Sequence, residues 1–140
     1  MGRGNRLAVV AACIGSVMTS ASACYADALE SGLVGAWATN LPDCKRLFQR
    51  RGGKITYRQP VDKFAQAAII EPQAIYSPSS ACQVKQASRS GDAVKISAVC
   101  RDSISYTSLT AQIKIKSDSE IVYSPTGDPI LDTNWIKCPL

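Results

Sequence analysis

Two stretches of this chain, Cys82-Gln-Val84-Lys-Gln86 and Val94-Lys-Ile96-Ser-Ala98-Val-Cys100, alternate apolar and polar residues on either side of Ser90-Gly91-Asp92. Period-two alternation marks half-buried strands, and Ser-Gly-Asp reads as a three-residue turn, so the segment is expected to be a β-hairpin. Pairing the strands about Gly91 sets Val84 opposite Ala98, Gln86 opposite Ile96 and Cys82 opposite Cys100. Opposed residues of an antiparallel pair lie about 4.5 to 5.5 Å apart at Cα, within reach of a disulfide.

Whether those thiols oxidise depends on compartment. Arg3 and Arg6 precede the apolar run from Leu7 to Val17, which gives way to Ala21-Ser22-Ala23. This is the pattern of a secretory signal peptide, expected over residues 1–26. Cleavage after Ala26 is favoured because it removes an odd cysteine; cleavage after Ala23 and lipidation of Cys24 are the alternatives. No later stretch approaches the ~18 apolar residues of a membrane span, so the mature chain is expected to be periplasmic or secreted, without a transmembrane segment. Cys13 and Cys24 leave with the leader, and Cys44, Cys82, Cys100 and Cys138 remain. Four cysteines in an oxidising compartment imply two disulfides, with three possible connectivities. The hairpin favours Cys82 with Cys100, leaving Cys44 to Cys138.

Residues 27–140 fit a single domain of about 114 residues. Leu33 to Ala38, Lys54 to Arg58, Leu109 to Lys116, Ile121 to Tyr123 and Trp135 to Cys138 read as further strands; Leu109, Ala111, Ile113 and Ile115 alternate most clearly. Residues 61–66 are expected to form a short helix or turn, followed by a short strand at 67–71. The fold class is therefore all-β: a small antiparallel meander curled into a barrel or strongly bent sheet.

Catalytic chemistry finds little support. The chain has no histidine, which excludes Ser-His-Asp and Cys-His activation of a nucleophile and His-ligated zinc. The cysteines form no Cys-x-x-Cys pair, and the acids stand singly in turn contexts such as Pro42-Asp43, Gly91-Asp92 and Gly127-Asp128. No catalytic residue, metal ligand or cofactor is assigned, and the protein is expected not to be an enzyme. With the leader gone the net charge falls to about +3, too little to point to nucleic acid.

Leu33-Val34-Gly35-Ala36-Trp37 resembles the opening of calycin barrels, in which a Gly-x-Trp at the first strand plugs one end. With Cys44 following, it is also similar to the opening of secreted bacterial protease-inhibitor barrels. Trp37-Ala38, Cys44, Cys82, Cys100 and Trp135-Ile-Lys-Cys138 together resemble a group of small exported alphaproteobacterial proteins. That resemblance implies the compartment and the cysteine frame but no activity. The inhibitor resemblance implies an exposed mature N-terminus, Asp27 to Ser31, as an inserting segment.

Two surfaces stand out. Residues 44–54 hold Lys45, Arg46, Arg50, Arg51 and Lys54 around Leu47 and Phe48. They read as a cationic loop for an anionic envelope component or an acidic protein, or as a solvated connection whose Leu47 and Phe48 enter the core. Ile75-Tyr76-Ser77-Pro78-Ser79 and Val122-Tyr123-Ser124-Pro125-Thr126 are near repeats, each expected to mark a strand running into a turn. Their tyrosines would frame a binding mouth if they shared a rim. The expected function is a non-catalytic interaction protein, inhibitor-like or envelope-associated; a calycin-like binder of a small apolar ligand is the alternative.

Overall fold

The computed structural model describes residues 29–140; the leader, its cleavage positions and Cys24 lie outside the described residues. Ten strands form in chain order: β1 (Gly35–Ala38), β2 (Phe48–Arg51), β3 (Lys54–Tyr57), β4 (Ala67–Glu71), β5 (Ala74–Tyr76), β6 (Ala81–Ser90), β7 (Ala93–Arg101), β8 (Tyr106–Ser117), β9 (Glu120–Ser124) and β10 (Thr133–Lys137). A seven-residue helix, α1 (Leu41–Leu47), and a 3-10 turn (Pro129–Leu131) complete the elements.

Eight strands close into a barrel in the order β1-β10-β9-β8-β7-β6-β5-β4, every neighbouring pair antiparallel. The expected meander is thus a closed up-and-down barrel. One departure from it lies between β1 and β4, where α1 and the separate β2-β3 hairpin are inserted. The strand expected at Lys54 therefore forms but pairs outside the barrel. Of the helix or turn expected over residues 61–66, a turn forms: the Asp62 carboxylate accepts the Phe64 N–H at 3.1 Å. The apolar spacing there builds no helix because Phe64 is exposed and has no surface to pack against.

Alternation sorts the apolar residues into two cores. Leu33, Trp37, Ile70, Ile96, Ile113 and Ile121 fill the barrel. The opposite faces of β1 and β4 present Ala36, Ala38, Ala67 and Ile69 outward, where Leu47 of α1 and Phe48 of β2 cover them. Helix α1 is short, yet its start is well held: Asn40 accepts the Asp43 N–H at 3.0 Å and Pro42 sits in the first turn. Each core contains one of the two expected disulfides. Cys82–Cys100 lies in the barrel, and Cys44–Cys138 ties α1 to the end of β10.

The hairpin register differs from the expected one in an instructive way. The turn has two residues, Gly91 and Asp92, with Ser90 paired to Ala93, so Ala87 and not Gln86 faces Ile96. A β-bulge at Lys85 then shifts the ladder by one residue and restores Val84 opposite Ala98 and Cys82 opposite Cys100.

Candidate functional site

The two ends of the barrel differ. At one end Leu29 and Leu33 are buried and Trp37, with no exposed surface, donates from its indole nitrogen to the Leu33 carbonyl at 2.8 Å. Gly35 has φ +143°, and a Cβ there would stand 2.9 Å from Lys137 Cε. The glycine of Gly35-Ala36-Trp37 thus leaves room for the Lys137 stem, whose ammonium lies 5.5 Å from the Trp37 ring centroid and donates to Gly32 O at 2.8 Å. This is the plugged end. Leu29 belongs to the core, its N–H donates to Pro72 O, and Glu30 pairs with Arg89. Leu29 and Glu30 are therefore held against the barrel rather than free for insertion, Ser31 is exposed, and Asp27 and Ala28 lie outside the described residues.

The other end is open. A recess of about 700 Å³ enters the barrel there, walled by Ala68, Ile75, Leu109, Tyr123, Trp135 and the Cys82–Cys100 bridge. Tyr123 stacks on Trp135 at 4.8 Å between centroids, and burial raises the pKa of its phenol. The buried Trp135 Nε1 has no hydrogen-bond partner among the described residues. Both near repeats reach this rim through Ser77, Pro78 and Ser79 from one copy and Tyr123 and Pro125 from the other. Their tyrosines part company. Tyr76 packs against the outer core, and its carbonyl accepts the half-buried Tyr57 hydroxyl at 2.8 Å.

Around the open end, three loops hold apolar side chains in solvent: Phe64 is 96% exposed, Ile104 92% and Ile130 88%, with Leu131 beside it at 50%. The same device holds each of the first three. A carboxylate two residues earlier accepts the backbone N–H of the apolar residue: Asp62 to Phe64 at 3.1 Å, Asp102 to Ile104 at 2.8 Å, and Asp128 to Ile130 at 3.0 Å. These Asx turns fix loop backbones that would otherwise sample many conformations. Asp62 has a lowered pKa, first because Arg46 hydrogen-bonds it and next because of the Phe64 N–H. Asp102 is lowered by the N–H groups of Ile104 and Ser105. Of the three anchors, sequence reasoning placed only Asp128 in a turn context and missed the apolar residues presented; Asp-x-apolar repeated in three loops was the available signal.

The cationic segment 44–54 is not one loop. Lys45 and Arg46 lie on α1, where Arg46 pairs with Asp43 and Asp62, each at 2.9 Å. Leu47 and Phe48 are buried, as the solvated-connection reading required. Arg50 and Lys54 belong to the β2-β3 hairpin and line a second groove with Lys137 near the plugged end; Arg51 at the hairpin tip is exposed. The structure thus divides the five cations between two places. Among the described residues no group of three or more His, Cys, Asp or Glu is arranged to hold a metal, and no helix is long and apolar enough to cross a membrane.

Comparison of the chain with protein-family models, curated proteins and solved structures returned no match.

Proposed function

We propose that this is an exported, non-catalytic binding protein that engages another macromolecule through the open end of its barrel. The observation that carries this reading is the set of three Asp-anchored apolar residues, Phe64, Ile104 and Ile130, on separate loops around one end. Apolar side chains held in water in a fixed geometry are costly for a monomer and useful at an interface, where loop ordering is already complete before binding. The two disulfides fit an oxidising compartment and, with the signal-like leader, support the periplasm or the medium as the site of action. Action would be by occlusion of a partner surface, which needs no proton-transfer group. The barrel and the buried Gly-x-Trp also support the calycin-like comparison. Capture from the native cell envelope after mild crosslinking tests the proposal. The oxidised wild-type protein should retain a stoichiometric partner that the Phe64→Ser, Ile104→Ser, Ile130→Ser triple variant loses, with unchanged melting. Equal recovery by both would remove the open end from the account.

One observation favours a second reading. The recess of about 700 Å³ falls in the size range of small-ligand pockets, and its wall carries Trp135 and Tyr123. Solvent extraction and mass analysis of the purified protein would return a stoichiometric apolar molecule under this reading and none under the first.

A further inference from the structure

A closed barrel has no long free edges, but strands of unequal length leave a local one. Strand β8 has twelve residues and β9 only five, and their register runs from Ser117 opposite Glu120 to Gln112 opposite Ser124. Beyond that point Tyr106 to Ala111 are paired to β7 on one side and to no strand on the other. The chain turns away at Pro125, and among the described residues none of the backbone hydrogen bonds outside regular elements links the 125–132 loop to Tyr106–Ala111.

Alternation decides which groups are left over. The Asp102 N–H donates to Ser105 O at 3.2 Å and closes the β7-β8 loop. Counting two residues at a time from that bond, Thr107, Leu109 and Ala111 exchange hydrogen bonds with β7. Tyr106, Ser108 and Thr110 turn their N–H and C=O groups outward, in line with Gln112, which meets Ser124 of β9. All three residues are exposed, which leaves these groups open to a partner. On the barrel side, Thr107 and Leu109 line the recess directly behind this edge.

We infer that the free edge of β8, from Tyr106 to Thr110, accepts an extended segment of a partner polypeptide as an added strand, which continues the wall where β9 stops and places alternate side chains in the recess. This rests on the proposed function and specifies how the partner is held. Backbone hydrogen bonds would supply the pairing, and the recess would select the side chains. A segment of this chain is not the occupant. Leu29 joins the barrel at the plugged end, and with the expected cleavage after Ala26 only two residues would precede it, a reach of about 7 Å against the roughly 30 Å length of a nine-residue strand such as β7. Asp102 lines the recess at one end of the edge and Asp132, which accepts the Ser124 hydroxyl, stands at the other, while Lys63 lines the recess and Arg101 faces Tyr106 across the β7-β8 ladder. Charge complementarity therefore favours a segment whose basic residues meet Asp102 and Asp132 at its two ends, with apolar residues between them.

The test uses the oxidised mature protein and decapeptides selected on it from a random display library. In the free protein the amides of Tyr106, Ser108 and Thr110 should exchange quickly while those of Thr107 and Leu109 are protected. A saturating selected peptide should slow the first three by about tenfold or more. Ser108→Pro removes an outward N–H without touching the β7 ladder, so the variant should fold and bind the same peptide more weakly. N-methylation of alternate peptide amides gives the same reading without altering the protein. Failure to select any peptide, or binding that leaves those three amides unprotected, overturns the inference. Peptide bound only to the loop side chains at the open end would do so while leaving the proposed function standing. Protection that appears on concentrating the protein alone would assign the edge to a second copy and likewise overturn it.

Discussion

The Asp102 carboxylate accepts the Ile104 N–H at 2.8 Å, and Ile104 itself stands almost wholly in solvent. The same carboxylate takes the Ser105 N–H at 2.7 Å and the Ser105 hydroxyl at 3.0 Å, so one side chain sets the whole β7-β8 loop. In the Asp102→Ala variant the Ile104 and Ser105 amides should exchange faster while the midpoint of global unfolding falls only slightly. Partner capture should fall, since loop ordering would then be charged to binding. Hydrogen exchange followed by mass spectrometry reads the first effect. Unchanged exchange in the loop would remove the Asx turn as its organiser.

Acid should loosen the same loops before the barrel. Asp62 and Asp102 both have folded pKa values below the ordinary 3.8. Each therefore contributes stability that is fully present above 3.8 and is lost as pH falls through its folded value. Amide exchange at Phe64, Ile104 and Ser105, corrected for intrinsic rates between about pH 5 and about pH 2, should show opening at the acid end. Asp62→Asn and Asp102→Asn should flatten that dependence at their own loops only.

The two bridges should differ in worth. Cys44 and Cys138 are 94 residues apart and Cys82 and Cys100 are 18 apart. On the chain-entropy model these loops correspond to about 4.7 and about 3.2 kcal/mol. Replacing both members of each pair by Ala and comparing urea midpoints should show the greater loss for Cys44 and Cys138. That pair also holds α1 over the outer core, so its removal should expose the surface around Phe48 as well.

Bulge and turn together set Cys82 opposite Cys100. Deleting Lys85 should preserve the pair, because the residues on both sides of the bulge already face β7 in one continuous order. A peptide map of the unreduced deletion variant should still join Cys82 to Cys100, with both thiols blocked to alkylation. Free thiols at those positions would show that the bulge is required for the bridge.

How far the sequence led depended on how much local pattern each element carried. Strand β8 was legible because Leu109, Ala111, Ile113 and Ile115 alternate with polar residues and all meet the barrel interior. The Cys82–Cys100 pair was reached from a three-residue turn, whereas the structure uses a two-residue turn and a bulge whose offsets cancel at the cysteines. Helix α1 escaped notice because seven residues offer only Cys44 and Leu47 as buried positions; Asn40 and Pro42 were its signal. Strand β5 is three residues long and has no period to read. At the site, the proline turns of the two near repeats were visible, but the outward path of Tyr76 follows from strand phase. The exposed Phe64, Ile104 and Ile130 gained meaning only once the meander put their loops at one end.

The central claim is that the open end, and not another face, meets the partner. A photocrosslinking amino acid placed singly at positions 64, 104 and 130, with position 92 in the plugged-end turn as control, tests it in the native envelope. The account predicts one common crosslinked partner from the first three positions and none from position 92. A partner crosslinked as strongly from position 92, or no protein crosslinked from any of the three, would contradict it.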